Sequence, residues 1–335
     1  MIPAIFGLSG LTLTDDERAF FRDSDPAGYI LFGRNIADRE QLRRLTDDLR
    51  TIDGRADLPI LIDQEGGRVA RMKSPEWPDF PSGATFDALY ERAPASAIEA
   101  ARLNAMALAA MLTEVGINVD CLPLLDVRQP GASEVIGDRA LGSEPMRVAA
   151  LGRAILGGLQ DGGVVGIVKH IPGHGRAMLD THEALPVVSA SDHELQTDLA
   201  PFAALRDAAM AMTCHVIFEA WDPDRPATLS PVIIDSVIRQ RVGFHGLLMS
   251  DDLDMKALSG DVPSRAAAAV AAGCDIALNC WARMDDMVGI ANALDPISTV
   301  SRARLEGAMD RSSGVNGTRA FAALVDQRDA LLAVA

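Results

Sequence analysis

The chain has no C-x-x-C pair, no run of basic residues, no apolar stretch approaching the roughly 18 residues that cross a bilayer, and no Pro- or Ser-rich linker. Each lack removes a class of function. Without C-x-x-C spacing, Cys121, Cys214, Cys274 and Cys280 read as buried thiols of a reducing compartment, two of them inside apolar runs, and no disulfide is expected. A formal net charge of −16 with no basic cluster argues against binding nucleic acid or an anionic membrane, which leaves small molecules as the expected partners. The first residues carry no basic segment and soon meet Asp15 and Asp16, so a cytoplasmic protein is expected. With no composition shift along 335 residues that are 48% hydrophobic, one well-packed domain is expected, residues 1–335.

What is present is an alternation of helix and strand. After the apolar start Ile2 to Leu8, Thr14 and Glu17 stand at capping-box spacing and open a helix, followed by a strand candidate Gly28 to Phe32. Asp38 caps a helix with Leu42, Leu45, Leu49 and Ile52 at helical spacing, and a strand Leu58 to Ile62 ends at Asp63. An Ala-rich helix over about 95–114 leads into a strand at 117–122. A helix with Val148, Leu151, Ile155 and Leu159 on one face leads into Val164 to Val168. A second capping box, Ser191 with Glu194, opens a helix before a strand at 211–216. Helices over 232–241, 263–272, 283–293 and 300–311 and strands over 246–249 and 274–278 complete the reading. Short strands separated by long helices, with no tight hairpin signals, mean parallel pairing through crossovers. Seven or eight such units predict a single-domain (β/α)8 TIM-like barrel. A doubly wound open sheet would carry G-x-G-x-x-G after its first strand, and none stands there.

Polar residues fall where these strands end: Asp63, Lys169 with His170, Cys214 with His215, Asp251 with Asp252, and Asn279. Barrels of this kind place active sites at that face. A single polar residue there is ordinary solvation, but a Lys–His pair directly after five apolar residues, echoed by acidic groups after equally apolar runs, favours function. The densest stretch runs from Lys169 to Arg176 and on through Asp180 and His182, with three of the six histidines inside thirteen residues. Pro172, Gly173 and Gly175 force a loop there, carrying His174, Arg176, Asp180 and His182. His170, His174 and His182 are not aligned by a helix, and Lys169 would repel a cation, so neither a metal nor a cofactor is expected. The glycines at 157–158 and 162–163 precede a strand and read as a helix exit and turn without a phosphate role.

Taken together, Asp63-Gln64-Glu65-Gly66-Gly67-Arg68 with Arg71, Val135-Ile136-Gly137-Asp138-Arg139, Lys169 to Gly175 with Asp180-Thr181-His182, and Ser250-Asp251-Asp252-Leu253 with Met255 resemble glycoside hydrolase family 3. The motifs follow the family order and are most similar to those of its single-domain bacterial β-N-acetylglucosaminidases. The resemblance implies a retaining exo-hydrolase of peptidoglycan recycling, a cytoplasmic monomer that acts on small carbohydrates, the GlcNAc-1,6-anhydro-muropeptides. By motif match Asp251 would be the nucleophile and His182 the acid/base, paired with Asp180. Asp63, Arg71, Arg139, Lys169 and His170 would hold the sugar.

Those roles are chemically coherent. Retention needs a carboxylate to attack the anomeric carbon and a second group to protonate the leaving oxygen. An Asp two residues before a His can orient and charge the imidazole for that second task. Lys169 and the arginines offer charge-assisted hydrogen bonds to hydroxyls, and their field is expected to keep Asp251 ionised. Phosphorolysis stays open, because a neutral His tolerates an anionic attacker better than a carboxylate does. The family's β-glucosidases carry a Glu acid/base on a second domain, for which this chain is too short. A sugar-binding protein with a decayed site would lack Asp251 or His182, and both are present. Ile171 departs from the aromatic residue common there in the family.

Overall fold

The computed structural model describes residues 1–131, 134–179, 181, 184–312 and 320–333. Eight parallel strands close into a barrel: β1 (Ile2–Gly7), β2 (Pro26–Leu31), β3 (Ile60–Ile62), β4 (Val119–Asp120), β5 (Val165–Ile171), β6 (Met210–Thr213), β7 (Leu247–Asp252) and β8 (Ile276–Asn279). Each pairs with the next in sequence, and β8 returns to β1 with Ala4 opposite Ala277. The strands are mainly apolar up to their C-terminal ends because both faces are covered. Ile5, Ile30, Leu61, Val119, Ile167, Met212, Met249 and Ile276 belong to one buried cluster, while a larger cluster joins strand residues such as Phe6, Tyr29, Ile60, Val168 and Leu248 to the helices.

Local signals set the helix boundaries. Helix α1 (Asp15–Ser24) opens on the reciprocal Thr14–Glu17 capping box, and α2 (Arg39–Asp53) opens with the Asp38 carboxylate accepting from the Gln41 N–H. Helices α3 (Gly83–Arg92), α4 (Pro94–Glu114), α5 (Pro145–Asp161), α6 (Gln196–Ala204), α7 (Val262–Ala272), α8 (Met284–Ala293), α9 (Thr299–Met309) and α10 (Phe321–Ala333) follow. The (β/α)8 TIM-like fold expected from the alternation is the one observed.

Several details differ from the sequence reading. Ser191 and Glu194 make their box, with the Ser191 N–H and hydroxyl donating to the Glu194 carboxylate at 2.8 and 2.6 Å, yet regular helix begins only at Gln196. The segment expected as an α-helix over 232–241 is a π-helix, Ile233–Val242. Gly157 and Gly158 lie within α5. A Cβ on Gly158 would stand 2.3 Å from the Arg102 carbonyl oxygen, so this glycine serves close packing of α5 on α4. By length and composition α4 is long and apolar enough to cross a membrane, contrary to the expectation of no such stretch, and 67% of its most apolar window is buried in the fold. Further elements, among them α3, went unforeseen. Helix α10 packs on α4, and Val187–Val188, Ile217–Phe218 and Asp222–Pro226 form a small mixed sheet on the loops that follow β5 and β6.

Candidate active site

The C-terminal ends of the strands surround a pocket of about 320 Å³, and the residues lining it come from loops after six of the eight strands or from the strand ends themselves. Asp63 follows β3, Lys169 and His170 stand near the end of β5, and Asp251 and Asp252 close β7. Arg71 and Arg139 reach the same pocket on the loops after β3 and β4. The barrel thus brings together Asp63, Arg71, Arg139, Lys169, His170 and Asp251, every expected site residue among those described. Asp180 and His182 lie outside the described residues; Thr181 between them lines the pocket, its carbonyl accepting from the Ala257 N–H at 3.2 Å.

The loop after β3 is folded back by one side chain. Gln64 Oε1 accepts from the Arg71 and Met72 N–H groups at 2.8 and 3.0 Å, and its Nε2 donates to the Met72 carbonyl. This returns the Arg71 guanidinium over Asp63, with 3.1 Å from Nη2 to Oδ2, and stacks it 5.3 Å from the centre of the Phe32 ring. Gly66, at φ +94°, is required in the same loop: a Cβ there would meet the Pro81 carbonyl oxygen at 2.3 Å. Gly175 has a similar reason, since its Cβ would stand 2.0 Å from the Val127 carbonyl oxygen.

Charges in the floor are paired. Lys169 Nζ, 2% exposed, lies 3.0 Å from Asp63 and 2.7 Å from Glu65, and Glu65 in turn takes both Nε and Nη2 of Arg139 at 2.8 Å. Burial by itself would raise both carboxyls, but Lys169 with Arg71 holds Asp63, and Lys169 with Arg139 holds Glu65, below the usual carboxylate range. Burial would likewise lower the Lys169 ammonium, and the two carboxylates outweigh it and hold it charged. Two contacts leave Lys169 one ammonium proton for the pocket.

A second group centres on Asp126, which is fully buried and held down at about 2: burial opposes this, and the neighbouring His170 and His174 outweigh it. Its carboxylate accepts the backbone N–H groups of His170 (3.2 Å) and His174 (2.7 Å) and binds His170 Nδ1 at 2.7 Å. With Nδ1–H donated to an ionised carboxylate, Nε2 is the His170 ring nitrogen without a partner among the described residues, and His170 lines the pocket. His174 packs edge-on against His170 and is pushed down to about 4, chiefly by burial, so it is neutral at ordinary pH.

Asp251 is buried and its carboxyl is lowered. Burial raises it, but His170 leads the opposing effects, with the Asp252 N–H and Lys169 behind it. Lys169 comes last among these effects, since its charge is shared with Asp63 and Glu65. Asp252 differs from its neighbour: burial first and then the Asp254 carboxylate push it up, so adjacent carboxyls are driven apart, one charged and one protonated.

Three participants had no assigned role. Glu65 stood inside a quoted motif without one. Asp126 could have been found as an acid just beyond an apolar run, but β4 is only two residues long and ends at Asp120. Phe32, expected as a strand residue, lies under Arg71 at the pocket wall.

A closed parallel barrel whose strand ends gather ionised carboxylates, paired cations and imidazoles into one pocket has the layout of a barrel enzyme with a polar site. Residues 7–313 match the family described as "Glycosyl hydrolase family 3 N terminal domain", and the chain belongs to glycosyl hydrolase family 3. It is a glycoside hydrolase of the β-hexosaminidase type. It is 38% identical to a beta-hexosaminidase of Aromatoleum aromaticum over 92% of this chain and 87% of that one, and 35% identical to a beta-hexosaminidase of Methylococcus capsulatus over 98% and 94%. Among solved structures it is similar to NagZ from Neisseria gonorrhoeae in complex with N-trifluoroacetyl-D-glucosamine, at TM-score 0.87 and 30% identity, covering 99% of this chain and 97% of that one. It is similar also to a family 3 beta-N-acetylglucosaminidase from Paenibacillus, at TM-score 0.87 and 32% identity, where 98% of this chain spans 66% of the longer enzyme.

Proposed function

We propose that the protein is a retaining exo-β-N-acetylglucosaminidase that releases terminal N-acetylglucosamine from peptidoglycan-derived GlcNAc-1,6-anhydro-muropeptides through a covalent glycosyl–Asp251 intermediate. The observation that carries this reading is the convergence of the ionised Asp251 with Asp63, Arg71, Arg139, Lys169 and His170 in one pocket of about 320 Å³. That volume is at the lower end of small-molecule sites, about 300 Å³, which suits one terminal sugar and hence exo attack. The named relatives support the sugar class.

In this mechanism the Asp251 carboxylate forms a bond to the anomeric carbon as the bond to the leaving oxygen breaks. His182, oriented by Asp180, gives that oxygen its proton. His182 then takes a proton from water, whose oxygen displaces Asp251 with a second inversion. Asp63, Arg71, Lys169 and His170 hold ring hydroxyls, and Arg139 acts chiefly through Glu65. No metal or cofactor enters the sequence of steps. The same proposal makes the chain a cytoplasmic monomer, one domain over 1–335 with its catalytic loop at about 170–186.

The test is release of N-acetylglucosamine from a nitrophenyl β-glycoside and from a GlcNAc-anhydro-muropeptide, with and without inorganic phosphate, following the anomer by NMR. The β-anomer should appear first and phosphate should leave the rate unchanged. Formation of the sugar 1-phosphate would identify a phosphorylase, and no release from either substrate would overturn the reading.

A further inference from the structure

Behind the pocket wall runs a chain of side chains outside the lining. Thr213 ends β6, His215 follows it, and Thr228 stands in the short helical turn Ala227–Leu229 after the small sheet; all three are fully buried. Thr213 Oγ1 and Thr228 Oγ1 are 2.7 Å apart, Thr228 Oγ1 and His215 Nδ1 2.8 Å, and His215 Nε2 and the Asp252 carbonyl oxygen 2.9 Å. The Asp251 N–H donates to Thr213 Oγ1 at 3.4 Å. The chain therefore leaves the backbone at Asp251 and rejoins it at Asp252, and the peptide between them donates its N–H to Asp251 Oδ1 at 2.8 Å.

Hydrogen-bond polarity gives this chain a direction. A carbonyl only accepts, so His215 Nε2 carries a hydrogen. Complete burial pushes the imidazole down and keeps it neutral, which leaves Nδ1 a bare acceptor. The single hydrogen of the Thr228 hydroxyl has three acceptors in reach, Thr213 Oγ1 at 2.7 Å, Nδ1 at 2.8 Å and the Cys214 carbonyl oxygen at 3.0 Å. It goes to Nδ1, a fully buried nitrogen that can only accept and for which a lost partner is costly, whereas the Thr213 hydroxyl can itself be the donor to Thr228. The Thr228 oxygen then accepts from the Thr213 hydroxyl, and the Thr213 oxygen accepts from the Asp251 N–H.

We propose that Thr213, Thr228 and His215 form a positioning relay that locks the Asp251–Asp252 backbone and so aims the nucleophilic carboxylate at the reacting carbon, with His215 held as the Nε2–H tautomer. This rests on Asp251 being the nucleophile. Removing the Thr228 hydroxyl leaves the buried Nδ1 without a donor and the Thr213 hydroxyl without its acceptor, so the ring and the Asp252 carbonyl it bonds to are no longer held from behind. The carboxylate then loses its fixed bearing while the sugar-holding residues are untouched, so the loss falls on kcat. A displacement of about 1 Å at a reacting group costs on the order of 100-fold.

Two measurements test the relay. Nitrogen-15 NMR of the intact protein, with His215 assigned through its backbone, should find a neutral Nε2–H imidazole across the neutral pH range; an imidazolium or an Nδ1–H ring would overturn the proposal. In turnover of the nitrophenyl glycoside, Thr228→Val should lower kcat about 100-fold with KM unchanged, while Thr228→Ser restores most of the rate. A folded Thr228→Val with wild-type kcat, or a Thr228→Ser as impaired as the valine, would also overturn it. A wild-type protein inactive on the glycoside would sink the functional reading and the aiming role with it, whereas the tautomer is read without substrate.

Discussion

Replacing Glu65 by glutamine tests the floor of the pocket. The carboxylate makes three charge-assisted contacts: Oε2 with Arg139 Nε at 2.8 Å, and Oε1 with Arg139 Nη2 at 2.8 Å and Lys169 Nζ at 2.7 Å. Glutamine fills the same volume but supplies one oxygen. In either orientation its NH₂ is set against a cationic N–H donor, Arg139 Nε in one and Arg139 Nη2 with Lys169 in the other. Removing one partner of a buried ion pair costs about 3–5 kcal/mol, and the retained oxygen places Glu65→Gln near the lower figure, about 3 kcal/mol. At about 2 °C per kcal/mol, the melting temperature should fall by about 6 °C.

Because Lys169 and Arg139 lose their fixed bearing, KM should also rise, by about tenfold if roughly 1.4 kcal/mol of sugar binding is lost. The pH dependence identifies the cause. Glu65 is held below its ordinary 4.5, so its contribution is present above that pH and is lost as the pH falls through the lowered value. The gap in melting temperature between wild type and variant should therefore narrow on acidification below 4.5. A melting shift under about 2 °C with KM unchanged would show that the pairing contributes little.

Asp251→Asn should abolish turnover and leave the fold intact, and a slow fluorinated glycoside should label Asp251; mass-spectrometric labelling of Asp252 or Asp63 would overturn the assignment. His182→Ala should spare glycosylation by a nitrophenyl glycoside and cripple it with a natural disaccharide, whose alkoxide must be protonated, and equal slowing of both in pre-steady-state kinetics would remove the acid/base role. Asp63→Ala and Arg71→Ala should mainly raise KM, and a large fall in single-turnover chemistry at unchanged affinity would contradict a holding role. His174, held down at about 4 from 6.5, stays neutral in the fold while the unfolded chain takes up a proton first, so stability should fall as the pH drops from 6.5 towards 4. His174→Gln should flatten that part of a melting-temperature profile, and an unchanged slope would refute the account.

The caps of α1 and α2, the aliphatic strands and the polar residues at their ends are local features, encoded within a few residues by hydrogen-bonding competence and periodicity. They were enough to predict a (β/α)8 barrel with Asp63, Lys169, His170 and Asp251 on one face, and the motif resemblance added the family. Elements without such signals escaped notice. Helix α10 has no single apolar stripe and is held by tertiary contacts, such as that of Arg328 with Asn104 on α4, while the small sheet forms only because β5 and β6 carry their loops side by side. The charge pairing was likewise decided by the tertiary structure alone. Glu65 and Arg139 are 74 residues apart, and Asp63 and Lys169 are 106 apart. They meet because β4 lies between β3 and β5 with the register Ile62–Asp120–Gly166. Spacing along the chain identifies which groups stand at strand ends. Which cation neutralises which carboxylate, and hence which groups remain to face the sugar, depends on distances across the barrel that are set only when it closes.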